Sequence, residues 1–147
     1  MKTLSSNFEP MLSLEQSMKK RWIVCTALGK TLLAFQPEDE QSRIIREIRW
    51  IALTPRTITS RQKLVEELRG IRKQGYALDR REIEEDVECI GAPIRNHIGD
   101  VIAAIRISGP QKKIGTPMER QYVSQVMEAA ALVSSKMGYR GEAHSLH

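Results

Sequence analysis

Up to about residue 21 the hydrophobic positions follow neither a helical nor a strand period, and residues 1–21 read as a loose or weakly helical arm. From Trp22 the pattern tightens. Trp22-Ile23-Val24 is a short β-prone run that leads through Cys25 and Thr26 into Ala27 to Phe35, where Leu28, Leu32 and Phe35 recur at helical spacing. Thr26 stands where the N-cap of that helix belongs. Pro37-Glu38-Asp39-Glu40 predicts a second helix, with proline preset for the first turn, acids at the positive end of the dipole, and Ile44, Ile45 and Ile48 as its buried stripe. Thr54-Pro55 breaks it, because proline drives its predecessor toward extended backbone. A third helix starts at Thr59 or Ser60 and carries Leu64, Leu68 and Ile71 on one face, with Gly75 placed to end it.

Beyond Gly75 the period changes. Tyr76-Ala77-Leu78 reads as a brief extended stretch running into the charged Asp79 to Glu82, and two longer strands follow at Val87 to Ile94 and Val101 to Ser108. The loop between them, Arg95 to Asp100, offers Asn96 and Gly99 for positive φ and so predicts a hairpin. Thr116-Pro117-Met118-Glu119 has the form of a capping box with proline in the first turn. It opens a closing helix whose stripe of Tyr122, Val123, Val126, Met127, Ala130, Val133 and Met137 runs to Gly138 and predicts packing on the hairpin. The methionines Met118, Met127 and Met137 are read as core. The order is helices, a strand meander and a closing helix, an α+β domain over residues 22–138 with a tail at 139–147.

Composition narrows the function more than the fold. With 41% hydrophobic and 28% charged residues the chain is an ordinary globular one, and no stretch nears the roughly 20 apolar residues of a membrane helix. No secretory signal is visible at the start, so a cytoplasmic location without membrane contact is expected. The net charge of +5 invites nucleic acid as a partner, yet the basic residues are interspersed with acids, as in Arg43 to Glu47 and Glu66 to Arg69. Aromatic residues, at 5%, are too few for a base-stacking platform. Cys25 and Cys89 make no CxxC, and His97, His144 and His147 have no metal-ligand spacing, so no metal or cofactor is expected.

Several stretches could bear chemistry. Cys25 to Lys30 offers the free N–H groups of a helix start to a carboxylate or phosphate, and reads equally as a helix end packed against a strand. It lacks the GxxxxGK[ST] spacing of a nucleotide loop. Asp79 suits a ligand hydroxyl or a turn cap, and Cys89, flanked by Val87 and Ile90, reads first as a small core residue. On the strand from Ile102 to Ser108, period two puts Arg106 and Ser108 on one face. If Cys89 and Gly91 share that face, these side chains line one concavity; otherwise Arg106 is a solvated edge residue. No activated nucleophile or acid and base pair can be named, and an enzyme is not expected.

Taken in order, Thr26-Ala27-Leu28-Gly29-Lys30-Thr31-Leu32-Leu33-Ala34, Ile71 to Asp79, Cys89-Ile90-Gly91-Ala92-Pro93-Ile94 and Ile107-Ser108-Gly109-Pro110 resemble the C-terminal effector-binding domain of the IclR family of transcriptional regulators. The resemblance covers about Trp22 to Gly138. It implies a GAF-like or profilin-like fold, an antiparallel sheet flanked by helices, that binds a small organic acid. Carried over by motif, Ala27 and Leu28 hold the acid group and Asp79, Val87, Cys89, Arg106 and Ser108 line the rest. In the family a winged helix-turn-helix and the opening strands of the sensor precede the Ala-Leu-Gly-Lys turn. The expectation is therefore a sensor that forms a homodimer or tetramer and does not bind DNA by itself. A module that pairs with a full-length regulator is the alternative.

Overall fold

The computed structural model describes residues 26–109, 112 and 114–141, so the arm, the Trp22 to Val24 run and Cys25 lie outside the described residues. Seven elements follow in order: α1 (Ala27–Ala34), α2 (Glu38–Arg46), α3 (Arg61–Gln74), β1 (Ala77–Arg80), β2 (Glu88–Arg95), β3 (Val101–Gly109) and α4 (Glu119–Lys136). The strands form an antiparallel sheet in the order β1-β2-β3. Leu78 faces Ile90, and Ile90 faces Ile107, so one row of large apolar residues crosses all three strands.

The caps explain where the helices begin and end. The Thr26 hydroxyl accepts the Gly29 N–H at 2.8 Å, and the Ser60 hydroxyl accepts the Lys63 N–H at 3.1 Å, each satisfying a donor with no partner inside its helix. Gly75 ends α3 at φ 89°, a left-handed conformation that a side chain would strain. At α4 Glu119 and Thr116 both act on backbone N–H groups ahead of the helix. Glu119 reaches back to the N–H of Gly115, the Thr116 hydroxyl takes the N–H of Met118, and the helix starts at Glu119, later than the motif suggests.

Helices cover both faces of the sheet. On one side α1, α2 and α3 gather Leu33, Ile44, Ile45, Leu64, Leu68 and Ile71 over Ala77, Val101 and Ala104. On the other, Val123, Val126 and Ala130 of α4 lie against Leu78, Ile90, Ala92, Ile94 and Ala103. Two expectations are corrected here. Nearly all of α1 is covered, with Leu32 buried as its stripe suggests but Lys30, Thr31, Leu33 and Ala34 buried as well, and Leu28 and Phe35 only partly covered. Met118, Met127 and Met137 are exposed, because the buried stripe of α4 runs Val123, Val126, Ala130, Ser134 and places Met127 one position round the helix. The stripe ends in a serine because the Ser134 hydroxyl accepts the Arg95 N–H at 2.9 Å, where the hairpin register shifts between Ile94 and Arg95.

Arg95 itself lies between two rings, 5.0 Å from the centroid of Phe35 and 5.8 Å from that of Tyr139, and so links α1 to the residues beyond α4. Among the described residues no helix is long and apolar enough to cross a membrane. Leu68 is fully buried where α3 meets α1, and Leu68→Ala is expected to cost about 2 to 5 kcal/mol of unfolding free energy in urea titration.

Candidate ligand site at the start of helix α1

The site rests on one close approach. A Cβ built at Gly91 would lie 3.2 Å from the carbonyl oxygen of Ala27 and 3.2 Å from the Thr31 hydroxyl, so the first turn of α1 sits directly on the backbone of β2. Thr31 in turn donates to Ala27 O at 2.6 Å and keeps its hydroxyl inside the helix. The N–H groups of Ala27 and Leu28 find no acceptor among the described residues, although Ala27 is buried. N–H groups free of intrahelical partners at the positive end of a helix suit an anion.

The sheet supplies the floor. Asp79, Cys89 and Ser108 are cross-strand partners in one row, and Gly91 pairs with Arg106 in the next. Residues directly opposite share a face, so all of them lie on the side of the sheet where α1 meets Gly91. Cys89 and Asp79 are 4% and 2% exposed, Arg106 is half-buried and Ser108 exposed, which grades the floor from closed to open along the row. The Arg106 guanidinium donates to Cys89 Sγ at 3.4 Å. It makes no ion pair with Asp79 within 4.0 Å, although its charge helps to pull that carboxyl down. Val87 is half-buried in the turn Glu84–Val87 just before β2.

Sequence reading missed the group that holds these parts together. Lys30 is 0% exposed, and its ammonium donates to Glu82 Oε2 at 2.8 Å, Glu67 Oε2 at 2.9 Å and the Leu78 carbonyl at 2.5 Å. One cation therefore ties α1 to α3, to β1 and to the turn after β1. That turn closes through Asp79, which accepts the Glu82 N–H at 2.8 Å, and through Arg81 at φ 63°. The segment between α2 and α3 clamps it from outside: the Thr54 hydroxyl donates to Arg81 O and that of Thr57 to Glu82 O. The one available signal was a lysine inside an otherwise apolar helical run.

Burial governs the acids. Removal from water pushes the carboxyls of Asp79 and Glu82 up, against the pull of Lys30 and of backbone N–H donors. Glu82 uses Oε2 for both Lys30 and the Arg80 N–H, and its Oε1 has no hydrogen-bond partner. Burial likewise pushes the Cys89 thiol up, with Asp79 adding to it and Arg106 opposing, so it is a neutral lining group and not an activated nucleophile. Among the described residues no cluster of three or more His, Cys, Asp or Glu could hold a metal.

Comparison with known proteins defines the class. Residues 18–135 match the family described as bacterial transcriptional regulator IclR C-terminal. The HTH-type transcriptional regulator KdgR of Escherichia coli is 39% identical over 114 residues, which is 78% of this chain and 43% of that protein. XynR, a second such regulator of Escherichia coli, is 34% identical over 78% of this chain and 45% of its own length. The crystal structure of the C-terminal domain of E. coli KdgR superposes with a TM-score of 0.73 at 38% identity, covering 80% of this chain and 71% of that one. The inducer-binding domain of PobR from Acinetobacter, a double mutant in complex with 3-hydroxybenzoic acid, gives 0.66 at 26% identity, over 80% of this chain and 67% of that one.

This chain belongs to the IclR family of bacterial transcriptional regulators, and the part it carries is the C-terminal, effector-binding domain, an α+β fold. It spans less than half the length of these two curated relatives.

Replacing Lys30 with Met is expected to destabilise the domain by about 3 to 5 kcal/mol, because Glu82 loses its cation in a buried place, and adding Glu82→Gln is expected to recover part of that. The raised carboxyl of Asp79 sets a pH trend. The folded form holds its proton more tightly than the unfolded chain, so this contribution is full below about pH 4 and is lost as pH rises through the folded value. Urea titrations over a pH series should show the stability advantage of the native chain over Asp79→Asn shrinking as pH rises.

Proposed function

We propose that this domain senses a small organic acid on behalf of a transcriptional regulator, binding the acid at the start of α1 and reading no DNA through its own residues. The observation that carries the reading is the pair of N–H groups at Ala27 and Leu28, without an acceptor among the described residues, set over a polar floor of Asp79, Cys89, Arg106 and Ser108 with Val87 at its edge. The PobR domain, which shares the fold, is recorded with an aromatic hydroxy acid, and the polar row here supports the same kind of ligand. A bound acid would fix the first turn of α1 against β2 and, through Lys30, the turn after β1. In a homodimer or tetramer this would change how subunits meet, and so the spacing of the DNA-reading parts.

Thermal unfolding with and without keto acids, hydroxy acids and aromatic acids tests the reading. An acid at a hundred times its dissociation constant should add about 2.7 kcal/mol to the folded state. No stabilisation by any of them, with the domain folded, would overturn it. A module that pairs with a full-length regulator is the second reading, favoured by the outer side of α4, where Leu132 is 60% exposed. Co-purification with such a regulator and loss of its operator binding would support that reading instead.

A further inference from the structure

Gly70 lies inside α3 on its exposed side, and a Cβ built there would meet nothing within 4 Å. Glycine is the least favourable residue in a helix interior after proline, so in the single domain this position has room for a side chain and loses by lacking one. Beside it a groove of about 490 Å³ lies between α3 and β1, with Ile71 and Leu78 among its lining residues. The groove does not suit an added strand. The outward polar groups in and next to β1 are already taken: Leu78 O accepts from Lys30, the Arg80 N–H donates to Glu82 Oε2, and Tyr76 O accepts from Gln74. What remains on offer is the side of α3. At about 3.6 residues per turn, Glu66 and Lys73 lie together on one flank of the Gly70 line, and Glu67 and Gln74 lie on the other. Glu66 and Lys73 are exposed and, among the described residues, enter no ion pair.

We propose that this face is where two copies of the chain meet, α3 of one lying antiparallel to α3 of the other about a two-fold axis at Gly70. The absent side chain at the crossing lets the two backbones approach closely. The order of charges on the helix is self-complementary in this arrangement. With a rise of about 1.5 Å per residue, Glu66 stands about 6 Å from the level of the axis, and Lys73 of the second copy about 4.5 Å from it in the same direction and on the same flank. Each Glu66 therefore meets the Lys73 of the other copy, and on the opposite flank each Glu67 meets the other copy's Gln74. A parallel pair would instead set Glu66 against Glu67 of the second copy, like charge against like. Glu67 also holds Lys30 at 2.9 Å, so the interface reaches the buried ammonium that fixes the turn after β1. The proposal is independent of which ligand the domain takes.

Sedimentation equilibrium of the full chain across a concentration series tests this, and association in the micromolar range is expected. Gly70→Gln should weaken it about tenfold or more. The same variant should melt at the native temperature or above it when both are diluted until they are monomeric, because glutamine is the better helix former and its Cβ finds open space. A residue needed only for the fold of one copy would not give these opposite signs. Glu66→Lys and Lys73→Glu, both at exposed positions, should each weaken association, and the double variant Glu66→Lys/Lys73→Glu should recover most of the loss. Arg120→Gln, at an exposed position on α4, should leave association unchanged. A native chain that stays monomeric to about 0.5 mM would overturn the proposal. So would association that Gly70→Gln leaves intact, or single charge reversals whose effects the double variant does not repair.

Discussion

A buried ammonium that must be surrounded by oxygen is the constraint on which the domain depends. Lys30 has no access to water, so its charge is tolerable only while Glu82, Glu67 and the Leu78 carbonyl converge on it. Those oxygens come from a helix, a strand and a turn that hydrophobic packing alone would leave free to slide. The apolar clusters on either side of the sheet supply most of the burial, but apolar contact is indifferent to small shifts. A lysine with three donors and three acceptors is not.

This explains why the strained features gather at one end. Arg81 takes a left-handed backbone, Glu82 keeps one oxygen without a partner and Asp79 is held away from water, all within the same turn. Each is unfavourable alone, and each is held by neighbours that serve other purposes, Thr54 and Thr57 among them. The result is a rigid corner beside the floor of the candidate site, so that the row Asp79, Cys89, Ser108 is fixed in position at its buried end and opens toward solvent at the other.

Local signals carried far into this fold. Thr26, Ser60 and Gly75 mark helix ends because their chemistry acts within a few residues, and period two on β3 placed Arg106 and Ser108 together before any register was known. What stayed hidden was non-local. Lys30 meets Glu67 and Glu82 across 37 and 52 residues, and a lysine in a helix reads as solvated unless its partners can be seen. The methionines of α4 misled for a related reason: their spacing fits a core stripe, but the sheet accepts the neighbouring stripe, whose small and β-branched residues lie closer to it. Arg106 was legible as to face and illegible as to partner, since nothing in sequence says whether Asp79 is already occupied.

Gly91 has a consequence that reaches past this chain. Where α1 meets β2 the backbone of Gly91 lies against the Ala27 carbonyl and the Thr31 hydroxyl, a contact that asks only for a glycine on the strand. In the proposed site, the grip on one end of a ligand can therefore stay constant while the lining at positions such as 89, 106 and 108 is exchanged residue by residue. A domain built this way keeps its handle and changes its lock, so that a lineage of regulators can take up new metabolites without rebuilding the joint through which binding is felt.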